Sequence, residues 1–252
     1  MRLGLVAGGG ALPEAVMSRL PNQIYRCFRV GPAGDFPLGA IAGLVAVAEA
    51  AGCDTLCFVG AVDRRDFAHL DEGGRWVRDS AGAEAGDSAL LDALIAFVEA
   101  RGLAVVGVNT LCPDWLTPAG VLAGDGALVR DEFKTAGIVR ARALGLADRG
   151  QAVIACGTPP HWLEEDQDGT DALIARAASD DLSAPKTLFK AAKPQQDLRI
   201  DLPAWGSETV LRAANAGLQA LVFEAGASIA LERDRAIDLA TRHGLTLIGV
   251  DA

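Results

Sequence analysis

The chain has 252 residues, of which 50% are hydrophobic, 22% charged and 5% aromatic. That is enough for a real core, and it excludes a disordered or fibrous chain. The net charge of −10 excludes non-specific nucleic-acid binding and any global attraction to anionic membranes, so an anionic ligand must be met by a local cluster of positive groups.

The N-terminal Leu3–Ala7 reads as a buried strand rather than a signal peptide, because it breaks at once into Gly8-Gly9-Gly10. Further short apolar runs follow at Ile24–Val30, Thr55–Val59, Leu103–Val108, Ala152–Cys156, Ala220–Phe223 and Leu245–Val250. Between them, Pro13–Leu20, Ala40–Ala51, Ser88–Arg101, Glu132–Leu144, Thr170–Ala177, Ser207–Ala216 and Asp234–His243 read as helices. Ser88, Ser207 and Asp234 stand at N-cap positions, and Gly102, Gly217 and Gly244 at C-cap positions. Alternating strands and helices predict an α/β fold. Gly, Pro and Asp gather near Gly120–Ala127, which predicts two lobes, residues 1–126 and 127–252. The longest apolar run, Gly39–Ala48, is too short to span a bilayer. Five scattered cysteines read as reduced, packing thiols of a cytoplasmic protein.

Four segments carry candidate chemistry. In Ala7-Gly8-Gly9-Gly10-Ala11-Leu12-Pro13, at a strand end, backbone N–H groups at a helix start can meet phosphate or ribose oxygens; a tight turn without ligand is the plainer reading. In Gly60–Phe67, Arg64 or Arg65 can face a phosphate or form a surface salt bridge. Glu165–Asp171 offers carboxylates, with Thr170 as a simple helix cap in the alternative. The fourth, Lys190–Pro203, is the most informative. Of only four lysines, Lys190 and Lys193 lie in it and Lys186 just before it, joined by Arg199 and two carboxylates, Asp197 and Asp201. If Leu198–Leu202 is extended, Arg199 and Asp201 share a face. A solvated basic turn remains the alternative.

These segments together resemble the LpxI family of UDP-2,3-diacylglucosamine pyrophosphatases. Gly8–Pro13 resembles its Gly-Gly-Gly-x-Leu-Pro loop, Gly60–Phe67 partly its Gly-Asn-Val-x-Arg-Pro-Asp-Phe stretch, and Asp168–Asp171 its Glu-Gly-Thr-Asp stretch. Lys193-Pro194-Gln195-Gln196 and Arg199-Ile200-Asp201-Leu202-Pro203 resemble its core motif, Glu224-Ala225-Gly226 its Glu-Ala-Gly, and Asp148–Gln151 a turn. The matches run in order along nearly the whole chain. Ala61 and Arg65 replace the family's Asn and Pro, and Cys156–Trp162 is unlike the family's apolar strand.

The resemblance implies a Rossmann-like N-terminal lobe, a C-terminal α/β lobe and a lipid-linked substrate between them. It implies Mg²⁺-dependent attack of water on the α-phosphorus, releasing UMP and 2,3-diacylglucosamine 1-phosphate. The family's essential aspartate maps to Asp201, expected to be catalytic and to bind the metal; aspartate is ionised at neutral pH, which suits that role. The expected substrate contacts are Gly8, Gly9, Gly10, Ala11, Leu12, Arg64, Thr170, Asp171, Lys190, Lys193, Gln196, Arg199, Glu224, Ala225 and Gly226. The expected location is cytoplasmic, peripheral to the inner membrane, with a transient membrane contact, no nucleic acid, and a homodimer as an open possibility. Two rivals stand beside this reading. One is a dinucleotide-binding oxidoreductase, although Arg29-Val30-Gly31 ends the second strand where a ribose-binding carboxylate belongs. The other is a non-catalytic lipid-binding relative.

Overall fold

The computed structural model describes residues 1–82, 86–179 and 184–251. Packing divides the chain into two units, Met1–Pro113 with Gln196–Asp201, and Asp114–Gln195 with the chain from Leu202 onward. The division thus falls at Pro113 rather than 126, and a six-residue return segment joins the first unit.

The N-terminal unit runs β1 (Leu3–Ala7), α1 (Leu12–Arg19), β2 (Ile24–Arg29), α2 (Ile41–Ala50), β3 (Thr55–Val59), α3 (Glu72–Ala81), α4 (Asp87–Ala100), β4 (Ala104–Val105) and α5 (Val108–Leu111). The strands form a parallel sheet in the order β2-β1-β3-β4. β1 is buried along its whole length, which explains its uninterrupted apolar sequence. The chain leaves β1 for β2 on one side and then returns to β3 on the other, so a crevice opens at the carboxyl ends of these strands. Val6, Leu44, Val45, Leu56 and Val98 belong to the core beneath it.

Two expectations fail here for local reasons. The strand expected over Leu103–Val108 shrinks to β4, because Gly107 turns the chain into α5. Helix α3 was not foreseen, because Gly73 and Gly74 interrupt its pattern. Those glycines let the helix press close: a Cβ on Gly74 would stand 2.3 Å from the Gly39 carbonyl oxygen. Asp71 caps the helix by accepting from the Gly74 N–H at 2.8 Å.

The C-terminal unit runs β5 (Gly120–Ala123), α6 (Asp131–Leu146), β6 (Ala152–Cys156), β7 (His161–Glu164), α7 (Gly169–Ala178), β8 (Lys186–Lys190), β9 (Ala204–Gly206), α8 (Ser207–Asn215), β10 (Ala220–Glu224), β11 (Ile229–Leu231), α9 (Arg233–Arg242) and β12 (Thr246–Val250). Its main sheet has the order β5-β12-β10-β8-β6-β7, with β8, β10 and β12 parallel and β5 and β6 antiparallel to their neighbours. β9 and β11 form a separate parallel pair. Pairing of β5 with β12 is what draws residues beyond Pro113 into this unit. α6 covers one face of the sheet, where Phe133, Trp162 and Phe189 pack ring on ring at 5.4 to 5.8 Å. On the other face Leu173, Val210, Ala236 and Ala240, from α7, α8 and α9, join the core with Leu188 and Leu221.

Strand β8 corrects the reading of Lys186–Lys190 as a basic turn, since all five residues are buried. Lys186 is 0% exposed, and its Nζ donates to the Ala177 carbonyl at 2.7 Å. The helices begin one or two residues from the expected caps: Gly86, Gly206 and Glu232 occupy the N-cap positions. Gly102, Gly217 and Gly244 do follow the last helical turns with positive φ of 80°, 73° and 66°.

Helix propensity favours Gly→Ala by about 1 kcal/mol in a helix interior. At Gly137 of α6 the contact decides otherwise, because a Cβ there would lie 2.2 Å from the Phe189 ring. Gly137→Ala should lower stability by about 1–3 kcal/mol, the usual cost of overpacking. Urea denaturation followed by tryptophan fluorescence measures this, and a stabilised variant would overturn the packing account.

Candidate functional site

In the N-terminal unit a cavity of about 310 Å³ lies at the carboxyl ends of β1, β2 and β3. Gly8 and Gly9 line it, with the loop after β2 (Gly31, Pro32) and Asp63 and Asp66 after β3. The glycine loop and the loop after β3 are bonded together. Gly8 N–H donates to the Val59 carbonyl at 2.8 Å, Gly9 N–H to Ala61 at 2.7 Å, and Ala61 N–H back to Gly9 at 2.8 Å. A Cβ on Gly8 would stand 2.6 Å from the Ala61 carbonyl oxygen. Glycine is therefore needed here for loop-to-loop approach, and the Gly8 and Gly9 amides already have acceptors, contrary to the expectation that they meet a phosphate. Gly10, Ala11 and Leu12 lead into the first turn of α1 and are not among the cavity-lining residues. Arg29 Nη2 pairs with Glu14 at 2.9 Å. Arg65 forks onto Asp63, and these hydrogen bonds hold the Asp63 carboxyl down at about 2. The side chain of Arg64 lies outside the described ones.

The segment Gln196–Asp201 is a turn rather than the extended stretch expected. The Asp197 carbonyl accepts from the N–H groups of Ile200 at 3.1 Å and Asp201 at 3.2 Å. Gln196, buried, donates its side-chain amide to the Asp201 carbonyl. Arg199 bonds the Asp197 carboxylate through Nε at 3.0 Å and Nη2 at 2.7 Å, and Glu99 of α4 through Nη1 at 2.7 Å. These hydrogen bonds hold the Asp197 carboxyl below its usual range and raise the Arg199 guanidinium above its own. Burial first, then the Asp197 charge, pushes the Asp92 carboxyl up. Asp201 is half-buried.

In the C-terminal unit Lys190, Lys193, Glu224, Ala225 and Gly226 gather at the carboxyl ends of β8 and β10. The Lys190 Nζ donates to the Ala204 carbonyl at 3.2 Å. Lys193, its side chain only 10% exposed, pairs with Asp148 at 2.5 Å. Glu224, its side chain 9% exposed, accepts from Arg142 at 2.5 Å and from the Ala192 N–H at 3.0 Å. Ala225 N–H donates to Val250 and Gly226 N–H to Thr117, both at 2.9 Å. Thr170 donates to Glu165 at 2.6 Å instead of standing at the cap, and Asp171 faces Arg212 at 3.4 Å. Sequence reasoning missed Glu99, Asp92, Arg142 and the loop after β2. Only the last carried a signal, a Gly-Pro-Ala-Gly run directly following a strand.

Gly8→Ala should force the two loops of the N-terminal unit apart. We expect a loss of about 1–3 kcal/mol of stability. Urea denaturation checks this, and a variant with unchanged stability would refute the close-approach account.

Two family descriptions match the chain: the LpxI N-terminal domain over residues 2–115 and the LpxI C-terminal domain over residues 125–248. The UDP-2,3-diacylglucosamine pyrophosphatase LpxI of Caulobacter vibrioides is 33% identical to it across 99% of this chain and 98% of that protein. With both halves matched, in order, and the identity sustained from end to end, the chain belongs to the LpxI family.

Proposed function

We propose that this protein hydrolyses UDP-2,3-diacylglucosamine to UMP and 2,3-diacylglucosamine 1-phosphate in lipid A biosynthesis. The end-to-end identity to a relative named for that pyrophosphatase activity carries the reading. In the proposed reaction a water oxygen bonds to the α-phosphorus as the bond to the bridging oxygen breaks. The leaving group keeps the β-phosphate and the sugar. Asp201 manages the attacking water, and the anchored turn that carries it limits its motion. The cavity at the ends of β1 to β3 suits the uridine end: it is concave, largely apolar, and offers Asp63 and Asp66 to ribose hydroxyls.

The family implies Mg²⁺. Among the described residues no three His, Cys, Asp or Glu side chains gather into a cage. Asp201 would hold such an ion as a single carboxylate, which suits Mg²⁺ bound largely through substrate phosphates. There it would neutralise charge on the diphosphate oxygens.

A diacyl substrate resides in a bilayer, and no described helix is long and apolar enough to cross one. We assign the membrane contact to the outer face of α6, where Val139 is 58% and Leu146 68% exposed, seven residues apart and so on one face. Arg140 and Arg149, near these residues in sequence, both pair with Glu164, at 2.9 Å and 3.1 Å. The end of α6 adjoins the family motif, since Gln195 donates to the Gly145 carbonyl at 2.8 Å.

Turnover in ¹⁸O-labelled water should place the label in UMP, and Asp201→Ala should lose about 10³-fold or more in kcat. Label in the sugar phosphate would exclude attack at the α-phosphorus; an active Asp201→Ala protein would remove Asp201 from the chemistry. Val139→Glu with Leu146→Glu should weaken binding to phosphatidylethanolamine–phosphatidylglycerol vesicles by about thirtyfold or more, given about 1 kcal/mol or more for each of the two partly exposed side chains. Unchanged flotation with such vesicles would reject α6 as the contact.

A further inference from the structure

Arg199 stands two residues before Asp201, in the position where a sequence reading sees a phosphate ligand. Its guanidinium is instead engaged on both sides within the N-terminal unit, by Asp197 and by Glu99. The same Asp197 accepts the Asp201 N–H through its main-chain carbonyl, and Gln196 donates to the Asp201 carbonyl. Both main-chain polar groups of Asp201 are therefore held by the turn that Arg199 closes. Ile200, between them, packs against the core of the unit. Gly107 makes room for the turn, since a Cβ there would lie 2.7 Å from the Arg199 Cα.

We propose that Asp197, Arg199 and Glu99 form a clamp that seats the Asp201 turn on α4, so that Arg199 serves the reaction as a positioning residue and not as a phosphate ligand. The inference rests on the assignment of Asp201 to the chemistry. Charge around the clamp argues for it. Were Arg199 to swing out to a diphosphate, Asp197 and Glu99 would lose the cation they share, with Asp92 close enough to Asp197 to feel its charge. An uncompensated Asp197 carboxylate, its side chain 25% exposed, opposes that motion, while the more exposed Glu99 supplies the second arm of the fork. An arginine also fits the role better than a lysine, because two carboxylates are bridged by one planar fork.

Steady-state kinetics on the full chain with UDP-2,3-diacylglucosamine tests the clamp. Arg199→Ala should lower kcat by about 100-fold, as expected when a catalytic group moves by an ångström, with KM changed less than about threefold. Arg199→Lys should fail to restore kcat. Glu99→Gln, which removes a negative charge and so cannot harm phosphate binding directly, should also lower kcat. The double variant Glu99→Gln/Arg199→Ala should be no worse than Arg199→Ala alone. A large rise in KM with kcat retained, full rescue by lysine, or a fully active Glu99→Gln protein would each overturn the proposal. Asp201→Ala measured alongside separates the two readings, since its unimpaired turnover would remove the Asp201 assignment itself. Hydrogen exchange then still judges the clamp: the Ile200 and Asp201 amides should exchange faster in a folded Glu99→Gln protein, and unchanged exchange would overturn it.

Discussion

Strands β1, β6, β8 and β10 are buried from end to end, and a strand covered on both faces has no room for solvated polar side chains along its length. Polar chemistry is displaced to the strand ends, where backbone pairing stops and loops begin. In the N-terminal unit the ends of β1, β2 and β3 form the cavity. In the C-terminal unit the ends of β8 and β10 carry Lys190 and Glu224. The two units differ in topology, yet the same constraint places their candidate residues.

Burial also decides what the charged residues near those ends can do. An ammonium removed from water needs an acceptor, and Lys186 has the Ala177 carbonyl. Lys190 reaches the Ala204 carbonyl, Lys193 the Asp148 carboxylate, and Arg142 the Glu224 carboxylate. Glu224 in turn accepts the Ala192 N–H, so one carboxylate ties the end of β10 to α6 and to the loop after β8. Burial acts on Cys57 too, in the middle of β3, whose thiol is pushed up to about 12, first by burial and then by Cys112.

Much of this architecture was legible in the sequence, because a fully buried strand is an apolar run and nothing in Leu3–Ala7, Thr55–Val59 or Ala152–Cys156 competes with that signal. β8 was not legible. Its sequence, Lys-Thr-Leu-Phe-Lys, has polar residues at three of its five positions, and only the fold shows that carbonyls receive the lysines. α3 was hidden by Gly73 and Gly74, which matter for close packing and read locally as a break. Candidate residues could be picked from the sequence, but their contacts could not. Charge and spacing pick out Lys193, Arg199 and Asp201, but composition cannot tell a cation that awaits an anionic ligand from one already matched by a carboxylate far along the chain, as Arg199 is by Glu99.

That distinction bears on how an acidic protein handles an anionic substrate. With a net charge of −10, long-range attraction of a diphosphate is absent, and affinity must come from local fields. A loose lysine could supply one, at the cost of ordering its four-carbon stem when the ligand arrives. Lys193 is ordered beforehand against the Asp148 carboxylate. Such pairs carry little net charge but considerable dipole, and groups fixed in advance need little reorganisation as charge moves from one phosphate oxygen to another. In that arrangement an acidic partner does more than neutralise: Asp148 sets where the Lys193 ammonium stands, as Asp197 and Glu99 set where Arg199 holds the turn of Asp201.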